Sequence, residues 1–260
     1  MDYKTIIYET GDDGVGTITI NRPDSMNSFN RAMCNEFHDV WKRVREDAGV
    51  KAVVLRAAGD RAFCTGVDVK EGLAGQPEQP VFDVEDPSVW LSPKQNLVWK
   101  PVVCAVNGMA AGGAFYWLNE SDIIICAERA TFFDPHVTFG MVSACEPTGM
   151  IGRLPFLEIM RIVLMGNDER ISAQTALRIS LVTEITSNEG LWARAHEIAA
   201  GMARKPATAI QGTVRAVWEA RDLPPSIALV NSYKFTQIGN HISMAEVDRK
   251  TAPKAKWTLR

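Results

Sequence analysis

Residues Pro101–Glu120, PVVCAVNGMAAGGAFYWLNE, decide how the rest of the chain is read. Val102–Val106 is a run of small and apolar residues with the length of a buried strand. Asn107-Gly108 is a turn signal, and Gly112-Gly113-Ala114 leads into an apolar helical pattern. The stretch therefore predicts a strand, a glycine-bearing turn and the start of a helix with no bulky side chain at its mouth. Such a mouth offers unpaired backbone N–H groups and the positive end of a helix dipole. Glycines let a ligand oxygen approach the backbone closely. A carbonyl becoming an oxyanion needs this arrangement, and one well-aimed donor is worth ~3–4 kcal/mol in a transition state. The same glycines would also serve simple clearance between a helix and a strand.

Working outward, the flanking segments predict an α/β domain. Thr5–Tyr8 and Val15–Ile20 read as a hairpin around Gly11-Asp12-Asp13-Gly14. Asn27 or Ser28 is placed to cap a helix running to about Arg45, with Met33, Phe37, Val40, Trp41 and Val44 on one face. Lys51–Leu55, Asp122–Cys126 and Ala130–Phe133 read as further strands. Ser172 is placed to cap a helix over Ala173–Ile179, before an extended Leu181–Ile185. From Leu191 the pattern is helical, broken at Lys205-Pro206 and at Leu223-Pro224-Pro225, with a last helix over about Ser226–Gly239. Two regions are expected: an α/β core over 1–190 and a helical region over 191–260. Gly72 to Pro93, rich in Gly, Gln, Pro, Asp and Glu, reads as an irregular insertion, with Val89-Trp90-Leu91 covering something apolar.

Bulk properties narrow the function classes. The 260 residues carry a net charge of −3, which disfavours a nucleic-acid partner and leaves no basic face for a membrane. No run approaches the ~18 apolar residues of a membrane span. The start, MDYKTIIYETGDDG, has neither signal-peptide nor transit-peptide character. Five scattered cysteines without ligand spacing suit reduced thiols in the cytoplasm and no metal site. A nucleotide-binding Rossmann or P-loop reading fails, because Gly108-x-x-x-Gly112-Gly113 has the wrong spacing and no GK[ST] follows.

Three segments in order resemble the crotonase (enoyl-CoA hydratase/isomerase) superfamily. They are Ile20-Asn21-Arg22-Pro23 with Met26-Asn27-Ser28, then Phe63-Cys64-Thr65-Gly66-Val67-Asp68-Val69-Lys70-Glu71, then Asn107–Ala114 followed by Ser121-Asp122-Ile123. A weaker fourth is Ile171–Ala176 with Leu181-Val182. The resemblance implies a spiral of ββα units, a C-terminal helical region used in trimers or hexamers, and an acyl-CoA substrate with no other cofactor. It implies that the N–H groups of Val67 and Gly113 hold the thioester carbonyl. It also places coenzyme A near Arg22, Ser25, Met26, Thr65, Gly66, Asp68 and Gly112, with Asp68 and Lys70 chiefly structuring their loop.

The chain also departs from the family. Hydratases carry one glutamate three residues beyond the second oxyanion glycine and another about twenty residues on. Here those positions hold Tyr116 and His136. Hydration needs a base for water and an acid for the α-carbon. An imidazole of pKa near ~6.5 can serve either role, whereas a phenol near ~10 is a hydrogen-bond donor and a poor base. A core histidine and a pocket-wall tyrosine are the structural alternatives. Glu146, one or two residues out of the usual register, is a further acid/base candidate, and Asp134 is placed to orient His136. The family's C-terminal E-G-x-x-A-F-x-E-K-R pattern is not recognisable, which leaves Lys250, Lys254 and Lys256 undistinguished as contacts to a neighbouring subunit's coenzyme A. The residues thus point to an acyl-CoA enzyme of hydratase/isomerase type, weak on a simple short-chain enoyl-CoA. An isomerase, a ring hydrolase and a non-catalytic acyl-CoA-binding protein are the alternatives.

Overall fold

The computed structural model describes residues 2–73, 86–248, 250, 257 and 259. Two compact units emerge, Met1–Ala203 and Arg204–Arg260. The first begins with the expected hairpin, β1 (Ile6–Thr10) and β2 (Val15–Ile20), paired antiparallel. Helix α1 (Arg31–Glu46) follows, with Met33, Phe37, Val40, Trp41 and Val44 all buried. Its cap is Asn30, whose side chain accepts from the Met33 N–H, and not Asn27 or Ser28. Asn27 is occupied elsewhere: its side-chain oxygen accepts from the Arg22 N–H, and its amide donates to the Ala58 and Ala62 carbonyls.

Three successive strand pairs then divide themselves between two sheets. They are β3 (Ala52–Ala57) with β4 (Ala62–Cys64), β5 (Val102–Val106) with β6 (Met109–Ala111), and β7 (Ile123–Ala127) with β8 (Thr131–Phe133). The first member of each pair joins the six-stranded sheet, and the second joins the four-stranded sheet. The chain goes on through α2 (Phe115–Leu118), α3 (Cys145–Met150), α4 (Phe156–Met165), β9 (Ile171–Ser172), α5 (Ala173–Arg178) and β10 (Glu184–Thr186). Strands β2, β3, β5, β7 and β10 run parallel as neighbours in the larger sheet. Val102, Cys104 and Val106 face the cluster that contains α1, while Val103 and Ala105 face a second cluster. A strand covered on both faces must be apolar at every position, which is why Val102–Val106 has no polar alternation.

The sequence places the boundary at 190/191, whereas the first unit extends to Ala203. Helix α6 (Leu191–Ala203) buries Leu191, Ala195, Ala199 and Ala203 against the second face of the larger sheet, so it belongs to the core. The second unit is an antiparallel pair, α7 (Ala207–Arg221) and α8 (Pro225–Ala245), the latter about two turns longer than the pattern suggests. Among the described residues no helix is long and apolar enough to cross a membrane.

Asn27 ties the turn after β2 to both ends of the β3–β4 connection and sits at φ +55°, a left-handed conformation that asparagine tolerates and alanine does not. Replacing it with alanine strands an N–H and two carbonyls. The Asn27→Ala variant is expected to lose about 2–4 kcal/mol of stability, read as a lower urea midpoint with an unchanged slope.

Candidate active site

The central stretch differs from its sequence reading in one respect. Met109–Ala111 forms strand β6 before the glycines, because it pairs in parallel with β4 on one side and β8 on the other. A single 3-10 turn, Gly112–Ala114, then leads into α2. Gly113 is the second residue of that turn, so its N–H has no partner within it. Gly66, at φ +90°, brings a second backbone segment against this one: a Cβ on Gly66 would lie 3.4 Å from the Gly113 nitrogen. The neighbouring bridge between Phe29 and Val67 uses the Gly66 carbonyl and the Asp68 N–H, so the Val67 N–H points out of it. The backbone carrying Val67 and the backbone carrying Gly113 thereby lie side by side. Gly113 has no room for any side chain, since a Cβ would fall 2.4 Å from Cε1 of buried Phe29.

The loop carrying Val67 is held by charge. Asp68 accepts from the N–H groups of Lys70 and Glu71 and pairs with Arg22 at 2.9 Å. Burial alone would raise the Asp68 carboxyl, but these donors and the guanidinium bring it below the usual carboxylate range. Arg22 also contacts Glu71 at 2.7 Å and donates to the Ser28 carbonyl. The structure thus engages Arg22 and Asp68 in holding the loop. Ser25 is exposed and Met26 closes its 3-10 turn in a left-handed conformation, while the Thr65 hydroxyl reaches the Met26 carbonyl at 3.5 Å. A polar cleft of about 290 Å³ opens beside this turn, lined by Pro23, Asp24, Asn27 and Ala58–Ala62.

The acid/base candidates gather at the other side of the glycine turn. A Cβ on Gly112, at φ +49°, would lie 3.4 Å from Cε1 of His136, so the imidazole sits directly against the turn. Asp134, fully buried at the end of β8, receives the His136 ring Nδ1 at 2.6 Å, the His136 N–H at 3.0 Å and the Ser143 hydroxyl at 2.8 Å. Asp134 is therefore placed to orient His136, as its spacing suggests. Burial pushes the Asp134 carboxyl up, and these three hydrogen bonds outweigh it and bring the carboxyl down. The bond to Asp134 raises His136 above the ordinary imidazole value, against a smaller opposing effect of burial. With Nδ1 committed to Asp134, Nε2 is the nitrogen that faces the site.

Glu146 does enter the site, despite its displaced register. Its carboxylate is buried and lies 3.7 Å from His136 Nε2, and the Asn119 amide holds its main-chain carbonyl at 2.7 Å. Burial raises its carboxyl. Tyr116 occupies the first glutamate position, packs edge-on to Phe29 and donates its hydroxyl to Asp86 at 3.1 Å. Burial, then Glu146 and Asp86, drive its phenol well above the ordinary value, so it remains a proton donor and does not act as a base. Asp134, His136 and Glu146 offer ligand atoms within 4.8 Å of one another, a grouping that could suggest a cation. Nδ1 and its carboxylate are consumed by each other, however, which leaves two groups facing the opening.

Sequence reasoning missed Ser143, Asp86 and Asn119. Asp86-Pro87-Ser88 carried a usable signal, an acidic cap followed by a first-turn proline, and Asp86 does accept from the Ser88 N–H. Of Val89-Trp90-Leu91, expected to cover something apolar, Trp90 and Leu91 do so. Leu91 is buried, its carbonyl accepts from Trp41 Nε1, and Trp90 packs at the edge of the core. Residues 74–85 of the insertion, together with Lys254 and Lys256, lie outside the described residues.

Comparison with known proteins gives a consistent picture. A sequence model described as "Enoyl-CoA hydratase/isomerase" matches residues 10–245. The (E)-benzylidenesuccinyl-CoA hydratase of Thauera aromatica is 29% identical over 84% of each chain. The 1,2-epoxyphenylacetyl-CoA isomerase of Escherichia coli is 32% identical over 74% of each. A crystal structure of an enoyl-CoA hydratase/isomerase from Mycobacterium paratuberculosis superimposes with a TM-score of 0.84 at 35% identity, covering 91% of this chain and 90% of its own.

The Asp134 bond favours the charged imidazole, so His136 stabilises the fold most below its unfolded pKa of ~6.5, and that contribution is lost as pH rises through the raised folded value. In Asp134→Asn the His136 midpoint, followed by NMR of the ring nitrogens, is expected to fall. An unmoved midpoint would break the link between the two residues.

Proposed function

Given that the chain belongs to the enoyl-CoA hydratase/isomerase family, we propose that it moves a proton at the acyl group of a CoA thioester through an enolate, with His136 and Glu146 in place of the usual glutamate pair. The observation that carries this reading is the 3.7 Å gap between His136 Nε2 and the Glu146 carboxylate, beside two backbone N–H groups. That gap suits one water molecule held by both groups, which favours hydration of an α,β-double bond and its reverse over isomerisation.

In this reading the thioester oxygen accepts from Val67 N–H and Gly113 N–H. Water adds its oxygen to the β-carbon while its proton passes to His136 Nε2. The electron pair of the double bond moves onto the thioester oxygen, where the two donors stabilise the enolate. Glu146, whose carboxyl is raised by burial, protonates the α-carbon. The imidazolium then returns a proton to Glu146, which restores both groups. Asp134 and Ser143 fix the tautomer that makes Nε2 the base. Tyr116 and Asp86 form the wall beyond them. The apolar side chains exposed on α8, Leu229 and Val230 among them, support assembly with further copies of the chain as in a trimer or hexamer.

Loss of enone absorbance tests the proposal. Crotonyl-CoA is expected to be hydrated slowly but measurably by the wild type. His136→Ala should lower kcat by about 10²–10⁴-fold, and Gly113→Pro, which lacks the N–H, should abolish turnover. Full activity in the first variant would overturn the base assignment, and full activity in the second the oxyanion assignment. Isomerisation of a 3-enoyl-CoA without hydration would move the chemistry to the isomerase branch.

A further inference from the structure

The Glu146 side chain is buried, yet among the described residues no other side chain donates a hydrogen bond to its carboxylate. Its ion-pair contact is His136 Nε2 at 3.7 Å, beyond hydrogen-bond length, and the hydrogen bond it accepts comes from its own main chain. The place of the carboxylate therefore rests on the backbone of residue 146. That backbone cannot hold itself. Helix α3 has six residues, too few to be stable alone, and Pro147 disfavours a helical conformation at the residue before it. Its geometry has to come from a neighbour.

We propose that Asn119 is the positioning residue that fixes Glu146 relative to the Gly113 N–H. The proposal rests on the reading that Glu146 moves the proton at the α-carbon. Asn119 caps the C-terminus of α2 and follows Gly113 through the 3-10 turn and the helix without a break. Its side chain is buried, and Nδ2 donates to the Glu146 carbonyl at 2.7 Å. The segment that presents the Gly113 N–H thus also carries the donor that holds Glu146. Two more contacts from the chain around α3 converge on Asn119. The Arg153 guanidinium donates to the Asn119 carbonyl and, at 3.0 Å, to the Ser121 carbonyl. Gly149 lies so close that a Cβ there would overlap Nδ2, Cγ and Cβ of Asn119. Arg153 fixes the Asn119 main chain, Gly149 leaves just enough room for the amide, and the amide nitrogen meets Glu146. A proton donor must lie within hydrogen-bond reach of its target, and a shift of about 1 Å can cost on the order of 10²-fold in rate.

Asn119→Leu keeps the volume of the side chain and removes its donor. In this variant kcat for crotonyl-CoA hydration is expected to fall by about tenfold or more, while KM and the affinity for butyryl-CoA, measured by titration calorimetry, stay within about twofold. The retained affinity also shows the variant to be folded. Gly149→Ala raises the helix propensity of α3 and drives a methyl group into the Asn119 amide, so it should lower kcat in the same way without loss of binding. Full kcat in either variant would overturn the proposal. So would a fall in kcat matched by an equal loss of butyryl-CoA affinity, which marks a general loosening of the site. Glu146→Gln, measured alongside, isolates the reading beneath. Full kcat there would overturn the role of Glu146 and the proposal with it, whereas a fall there beside full kcat in Asn119→Leu would overturn the positioning alone.

Discussion

The site depends on two backbone segments meeting with no side chain between them. Gly66 and Gly113 approach closely enough that a Cβ on either would lie within 4 Å of the other's main chain. Everything around them serves that approach. Strands β4 and β6 pair in parallel to deliver the two turns to one edge. Phe29 fills the space beneath Gly113 and bridges to Val67, while Arg22, Asp68 and Glu71 clamp the loop from outside. Backbone donors held this rigidly cost little reorganisation when charge develops on an oxygen, which is what makes them effective.

The acid/base groups follow a different physical logic. The two N–H groups are properties of the fold, whereas His136 and Glu146 are tuned by neighbours. Asp134 is buried and carries three donors, so it stays ionised and holds the imidazole by one nitrogen. Glu146 is buried with fewer donors, so its proton is retained to higher pH. Two carboxyls in one small volume are thereby pushed in opposite directions, which suits the different roles proposed for them. Tyr116 at a glutamate position keeps its proton and packs against Phe29, so in the proposed chemistry the acid/base work falls to the His136 side.

Much of this was legible in the residues, for identifiable reasons. Val102–Val106 read as a buried strand because a strand covered on both faces leaves an unbroken apolar run. The helix face of Met33, Phe37, Val40, Trp41 and Val44 read correctly because its period matches a single buried stripe. Strand β6 was hidden because Met-Ala-Ala has no strand propensity of its own; pairing on both sides makes it a strand. The Asn27 cap was misplaced because a turn asparagine and a cap asparagine look alike until tertiary partners choose between them. Helix α6 joined the core because its alanines pack on the sheet, and alanine carries little signal of which surface it covers. At the site, the contact between Asp134 and His136 is legible from their spacing, while the pairing of Arg22 with Asp68 and Glu71 is not. Ser143 and Asp86 gained roles only through contacts far from them in sequence.

The central claim is that the protein forms a thioester enolate at the Val67 and Gly113 N–H groups, with Glu146 moving the proton at the α-carbon. Exchange of the α-protons of butyryl-CoA with deuterated water, followed by mass spectrometry, tests it directly and independently of whether hydration or isomerisation is the natural outcome. The account predicts deuterium incorporation at the α-carbon by the wild type and its loss in both Glu146→Gln and Gly113→Pro. No incorporation by a wild type that binds butyryl-CoA, or undiminished incorporation in Glu146→Gln, would contradict it.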